Sequence, residues 1–395
     1  MLHREPVAGN ERGQTTVRKR RGEHGMNGLG IRPYERGLND LGDGHWAWLQ
    51  PDGSWGWSNA GLVTDGGEAL LVDTLFDLKL TGAMLDAMRA SVPAAQRIGQ
   101  LVNTHANGDH CNGNELVHGA EIIASAACAE EMRHESPAGM VAMKKQAGSM
   151  GDLGEFFLHC FGAFDFEGIT QTPPTRTFET ELALTVGDKR VELSNVGPAH
   201  TRGDVLVHIP IDGIVYSGDI LFIEGHPIMW AGPISNWIDA CDRIIALGPR
   251  QVVPGHGPVT DIKGVRAVRD YLGYIRDEAR KRFDAGLSAT DAAFDISLAD
   301  YSSWGDAERI AVNVATLYRE FAGDTSAPNV PELFGLMTRI WKDQSSAGAR
   351  ASAAAGASAA GGSSSAVFQS TAVGAGAEAG AGADATSTTA PRGDA

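Results

Sequence analysis

Alternation of apolar and polar positions opens the readable part of the chain. GHWAWLQ (44–50) and WGWSNAGLVT (55–64) both read as strands, joined by a Pro-Asp-Gly turn at Pro51–Gly53. EALLVDT (68–74) is a further strand ending near Asp73. The period then changes: Leu78–Val92 has helical spacing and stops before Pro93. The apolar run Ile98–Val102, a short helix holding Leu116 and Val117, and the strand Glu121–Ser125 come next. Residues 126–165 read as helices broken by glycines and rich in Met and Phe. ELALTVGD and KRVELSNV (181–196) form a hairpin, and DVLVHIP and GIVYSGD (204–219) are two more strands. Ser235 is expected to cap a helix whose apolar face is Trp237, Cys241, Ile244 and Ile245, stopped by Gly248 and Pro249. Residues 262–342 read as three helices.

Composition limits how much of the 395 residues builds this core. Residues 1–38 carry eight Lys/Arg against four Asp/Glu, with RKRR at Arg18–Arg21. No apolar segment follows those charges, so the arm is not a secretory signal. It reads as a disordered basic extension, with Met26 as an alternative start. From 344 to 395 the chain is almost entirely Ala, Gly, Ser and Thr, too poor in apolar surface to offset the entropy of ordering, and is expected to be a disordered tail. Between them lie an expected core domain at 39–261 and a helical region packed on it at 262–343. No apolar run of membrane length occurs, so no membrane span is expected. Net charge is −16, which argues against nucleic acid as the main partner. The four cysteines form no Cys-x-x-Cys pair, which suggests reduced thiols and a cytoplasmic location. Cys111 reads as a small packed thiol, and His208 as an exposed or packed strand residue.

The chemistry is concentrated in THANGDHCNGN, Thr104–Asn114. His105, Asn107, Asp109 and His110 stand on one loop at a strand's end. Crowding such groups is costly unless a cation takes the charge and the lone pairs. His and Asp at this spacing suit zinc, iron or manganese. Three later residues stand at strand exits beside Gly or Pro: His200 in VGPAHTRGD, Asp219 in IVYSGDILF and His256 in QVVPGHGPVT. Open α/β sheets place their sites at such exits.

In this order the anchors resemble the metallo-β-lactamase superfamily over roughly residues 45–260, with Asn107 where the family's motif carries a second His. The resemblance implies an α/β fold of the α+β kind, a four-layer αββα sandwich with extra C-terminal helices. By that analogy one metal position is His105, position 107 and His200. The other is Asp109, His110 and His256, with Asp219 bridging. The expected cofactor is Zn2+, one or two ions, with Fe or Mn as alternatives. Such a pair lowers the pKa of a shared water and polarises a carbonyl. Asp109 is also the candidate catalytic residue, holding the proton or orienting the nucleophile. Asp73 is expected to do structural work, receiving backbone N–H groups or orienting a ligand histidine from behind. His226 and Trp230 lie on a loop expected to overhang the site and contact substrate.

Asn107 offers a neutral oxygen, a poorer zinc ligand than imidazole. A weaker first site is therefore expected, beside the alternative that Asn107 serves as an ordinary ligand of a binuclear centre. The leading function is hydrolysis of a small-molecule ester, thioester or lactone. The alternatives are a metal-dependent polyketide cyclase or thioesterase-like enzyme, an iron-dependent persulfide dioxygenase and a non-catalytic metal-binding relative. Within the family, Asp219 stands where many β-lactamases carry Cys or Ser, which sets antibiotic hydrolysis aside. Only 36 residues separate Asp219 from His256, too few for the nuclease insert, and no flavodoxin-like domain follows.

Overall fold

The computed structural model of the protein describes residues 28–361. The first sheet runs in chain order: β1 (Gly37–Gly42), β2 (His45–Leu49), β3 (Ala60–Asp65), β4 (Glu68–Val72), β5 (Gln100–Val102), β6 (Glu121–Ser125) and β7 (Arg176–Phe178). Strands β1 to β4 form an antiparallel meander, while β4 to β7 are parallel. Parallel pairing demands a crossover, which α1 (Leu78–Ser91) supplies between β4 and β5. The second sheet has the order β12-β11-β10-β9-β8, from β8 (Glu181–Val186), β9 (Lys189–Asn195), β10 (Val205–Ile209), β11 (Ile214–Phe222) and β12 (Gln251–His256). Only β11 and β12 pair in parallel there, across α6 (Ile234–Leu247).

Period-two alternation assigns each strand residue to a layer. In β3 and β4, Val63, Leu70 and Val72 face the second sheet, where Val191, Leu193, Val205, Val207 and Tyr216 complete a core between sheets. Leu62 and Leu71 face the other way and pack on Met84, Leu85 and Met88 of α1. The outer face of the second sheet, through Leu206, Val215 and Ile220, packs on Trp237 and Ile244 of α6 and on the C-terminal helices. The result is an αββα sandwich. Gly61 marks how closely the sheets approach, since a Cβ there would lie 2.2 Å from the Tyr216 ring.

Several expectations need adjustment. Of the expected basic extension, residues 28–38 are docked on the domain: Leu29 N–H donates to Glu224 and Ile31 N–H to the Val259 carbonyl, each at 2.9 Å. Residues 1–27, with the RKRR run, lie outside the described residues. Only Ala60–Asp65 of the second expected strand joins the sheet. Trp55 and Trp57 are held instead by ring packing, Trp57 on Phe164 at 4.7 Å and Trp55 on Phe161 at 5.7 Å. Pro233, not Ser235, occupies the cap of α6, and Ser235 lies inside the helix.

The metal loop holds the short α2 (Gly108–Cys111), and residues 126–165 hold α3 (Ala126–Met132), α4 (Pro137–Gln146) and α5 (Asp152–Phe161). Four helices, not three, follow the last anchor: α7 (Ile262–Asp284), α8 (Ala289–Asp295), α9 (Ile310–Ala322) and α10 (Val330–Gly361). The expected tail begins inside α10, because alanine, the best helix former, continues the helix to Gly361. Residues 362–395 lie outside the described residues.

Candidate metal centre and cavity

All the candidate ligands stand where strands of the two sheets end together. Asp73 follows β4, and the loop after β5 carries His105 and Asn107 before α2 brings Asp109 and His110. His200 lies between β9 and β10, Asp219 within β11 and His256 at the end of β12. Gly255 makes room for them: a Cβ at that position would fall 1.9 Å from Asp219 Oδ1.

Each imidazole is oriented through its Nδ1. His110 Nδ1 donates to Asp73 Oδ2 at 2.9 Å. His105 Nδ1 meets Thr104 Oγ1 at 3.0 Å, and that hydroxyl donates on to Asp73 Oδ2 at 2.7 Å. His200 Nδ1 donates to the Ile228 carbonyl at 2.6 Å, and His256 Nδ1 to the Gly53 carbonyl at 3.0 Å. These Nδ1 contacts turn every Nε2 toward a common centre. Asp73 therefore has the orienting place expected of it, serving His110 directly and His105 through Thr104.

Those Nε2 atoms surround Asp219. Its carboxylate oxygens lie 3.1 Å from His110, 3.4 Å from His200, 3.4 Å from His256 and 3.7 Å from His105. Asp109 Oδ2 lies 3.3 Å from His256 Nε2 and 3.8 Å from His110 Nε2. His105, His200 and Asp219 form one compact group, and Asp109, His110 and His256 another. Asn107 joins the first, with Oδ1 2.8 Å from His200 Nε2.

Charge in this pocket is unbalanced without a cation. Burial opposes ionisation of Asp219, yet His256, His110 and His105 outweigh it and hold the carboxyl well below the usual carboxylate range. Burial also disfavours a proton on His110, but Asp219, Asp109 and Asp73 outweigh it and hold the imidazole well above its ordinary value. Burial pushes His105 well below that value. His105 Nε2, His110 Nε2 and Asp219 Oδ1 are buried with no hydrogen-bond partner. Orphaned polar atoms at this depth are costly, and divalent cations held by the two groups would satisfy all three. The donor set of imidazoles, carboxylates and one amide oxygen fits such an ion.

The centre forms the floor of a cavity of about 410 Å³. Trp55, Phe76, Phe161, Phe222, Trp230 and Phe334 line it, with Glu131 and Glu135 on one side. The rings form a continuous wall: Phe76 contacts Phe161 at 5.9 Å, Trp55 contacts Phe161 at 5.7 Å and Phe334 at 6.3 Å, and Phe334 stacks on Trp230 at 6.4 Å. Glu135 is half-buried, and burial, with Asp109 and Glu131 adding to it, pushes its carboxyl up to about 7.

Trp230 is thus at the site, as the loop position suggested. His226 is not: it is fully buried away from the cavity against Tyr271 and Trp304. The loop turns inward after Glu224, where His226 N–H donates to the Gly305 carbonyl. Cys111 is buried, with its thiol toward the Ala106 carbonyl, and His208 is buried near Glu192. Residues that sequence reasoning missed include Gly53, Thr104, Phe222, Arg309 and Phe334. Thr104 had a signal, its hydroxyl next to His105. Arg309 and Phe334 reach the site from helices far along the chain, and nothing local to them marked it.

The chain is 26% identical over 246 residues to acyl-coenzyme A thioesterase MBLAC2 of Homo sapiens, covering 55% of this chain and 79% of that protein. It is 27% identical over 157 residues to hydroxyacylglutathione hydrolase of Maricaulis maris (strain MCS10), covering 39% of this chain and 46% of that enzyme. The inverting sec-alkylsulfatase Pisa1 from Pseudomonas sp. shares the fold, with a TM-score of 0.55 at 16% identity over 75% of this chain and 52% of its own. A sequence profile described as the metallo-beta-lactamase superfamily matches residues 53–256, and the chain belongs to that superfamily.

Proposed function

We propose that the protein is a metal-dependent hydrolase of a small-molecule ester, thioester or lactone, with a ring-lined site for an apolar acyl group. The observation that carries this reading is a cluster with buried, orphaned His105, His110 and Asp219 atoms that opens, through Asp109, His200, Asp219 and His256, into an aromatic cavity. The similarity to proteins named as a thioesterase and a hydroxyacylglutathione hydrolase supports acyl-bond hydrolysis. His105, Asn107 and His200 would hold one divalent ion, Asp109, His110 and His256 a second, with Asp219 shared between them. A bound ion of this kind, zinc in the first instance, supplies Lewis acidity that lowers the pKa of water and polarises a carbonyl oxygen.

The chain's own residues supply the rest. Asp109 lines the cavity and holds or accepts a proton at Oδ2. The aromatic wall excludes water and aligns the acyl group over the centre. Among the lining residues Arg309 is the only Lys or Arg, against Asp109, Asp219, Glu131 and Glu135. Arg309 is already paired with Asp306 at 3.2 Å.

The test is a panel of chromogenic esters, thioesters and lactones run on protein stripped by a chelator and reloaded with Zn2+, Fe2+ or Mn2+. Turnover should depend on reloading and fall by several orders of magnitude in Asp109→Ala. Metal uptake without turnover of any acyl compound would favour carbon–carbon bond formation, the reading that a weakened centre with Asn107 also accommodates.

A further inference from the structure

One turn of the C-terminal helical region grips the segment that orients His256. Asp306 Oδ1 accepts from Ser54 Oγ at 2.7 Å. Glu308 Oε1 accepts from Trp55 Nε1 at 2.8 Å, in a buried contact. The Arg309 guanidinium, 2% exposed, lies 4.4 Å above the Trp55 ring and 5.1 Å from the Phe222 ring. It is itself anchored, with Nη1 donating to the His226 carbonyl at 3.0 Å and Nη2 3.2 Å from Asp306.

Both clamped segments touch His256. Gly53, next to Ser54, gives its carbonyl to His256 Nδ1 at 3.0 Å. Phe222 stacks on the His256 ring at 5.0 Å with planes 6° apart. Asp306, Glu308 and Arg309 touch none of the candidate ligands, and all three lie beyond the span 53–256 that matches the superfamily.

We propose that the Asp306–Arg309 turn is a positioning element of the metal centre, fixing the His256 imidazole through the Gly53 carbonyl at its edge and the Phe222 ring at its face. The proposal rests on the reading that the cluster holds a divalent ion, and its test reads binding, so that absent hydrolysis does not decide it. An Nδ1–H acceptor sets which nitrogen faces the ion and how the ring is turned; losing such a partner costs about 10–100-fold in metal affinity. The Glu308 carboxyl, pushed up by burial, acts here as an acceptor for an indole N–H, a role that a neutral amide can also fill.

The experiment titrates Zn2+ into the chelator-stripped full chain against a chromophoric competitor, with binding steps assigned by His105→Ala and His256→Ala. Glu308→Leu should weaken the step that belongs to Asp109, His110 and His256 by about 10–100-fold, and the His105–His200 step far less, since Phe222 meets the His200 ring only edge-on at 5.6 Å. Glu308→Gln, which keeps the acceptor, should restore the wild-type value. Ser54→Ala, a gentler cut at the half-buried end of the clamp, should weaken the same step to a smaller degree. An unchanged His256 step in Glu308→Leu overturns the proposal, as does an equal loss at both steps in the Leu and Gln variants. Should Glu308→Leu fail to fold, Ser54→Ala decides: selective loss supports the clamp and unaltered affinity overturns it. A wild-type chain that takes up no Zn2+ overturns the metal reading, and the clamp with it.

Discussion

Asn107 Oδ1 faces His200 Nε2 at 2.8 Å, and neither atom has a hydrogen to share. His200 Nδ1 already donates to Ile228, so its Nε2 is a bare lone pair. Two acceptors this close repel each other, and a cation ligated by both would offset that repulsion. Turned over, the amide would instead donate N–H to Nε2 and leave the ligand set. Either way the first group binds an ion less firmly than a third imidazole would allow. Zn2+ titration should therefore resolve one tight and one weaker step, and Asn107→His should tighten the weaker one by about tenfold or more. Two equally tight ions in the wild type would refute this.

Gly255 provides a purely steric test. Its φ is not left-handed, so alanine fits the backbone, but the added Cβ would sit 1.9 Å from Asp219 Oδ1 and 2.7 Å from the Gly218 carbonyl carbon. Either Asp219 turns away or β11 and β12 part, at about 1–3 kcal/mol of overpacking. Gly255→Ala should keep its fold by circular dichroism and lose both metal steps, since Asp219 serves both groups. Normal metal affinity in this variant would show that Asp219 does not bridge.

The placement of these anchors was legible in the sequence because Gly and Pro punctuate the apolar runs around them; all but Asp219, which lies within β11, stand at or just past a strand's end. Asp73 could be read for the same reason. His226 could not: its loop looks like a solvent-facing rim, and only packing against Tyr271 and Trp304 draws the ring inward. The expected strand at Trp55–Asn59 failed similarly, because its aromatic residues are spent on Phe161 and Phe164 rather than on sheet pairing. Periodicity marked the C-terminal region as helical, though as three helices rather than four, and left its contact with the centre unread. Arg309 meets Phe222 and Trp55 through tertiary packing, which leaves no periodic trace.

His226 predicts an acid-sensitive fold. Burial first, then the nearby Arg309 charge, lower its pKa to about 4, with Asp306 opposing. Tyr271 and Trp304, packed against the ring, bring no charge at acidic pH. A depressed imidazole pKa means that the unfolded chain binds the proton more readily. The neutral ring's contribution is therefore complete above about pH 6.5 and is lost as pH falls toward 4, by about 3 kcal/mol in full. Denaturant midpoints measured from pH 7 to pH 4 should fall more steeply in the wild type than in His226→Gln. Parallel curves for the two proteins would rule His226 out as the source.

The aromatic wall predicts a selective defect in binding. Trp230 stacks on Phe334 with planes 16° apart, and its backbone N–H donates to the His200 carbonyl at 3.0 Å, so the indole is tied to the centre's edge. An acyl group long enough to reach Phe334 must lie along this indole, whereas an acetyl group ends short of it. Ring contacts of this kind are worth about 1 kcal/mol beyond area burial. Trp230→Ala should raise KM about fivefold for aryl or long-chain acyl esters while leaving kcat nearly unchanged, the mark of binding lost equally from ground and transition states. Acetyl esters should be almost unaffected. If kcat for acetyl esters falls as well, the substitution has disturbed His200 through their shared backbone contact, and the wall is not what selects the acyl group.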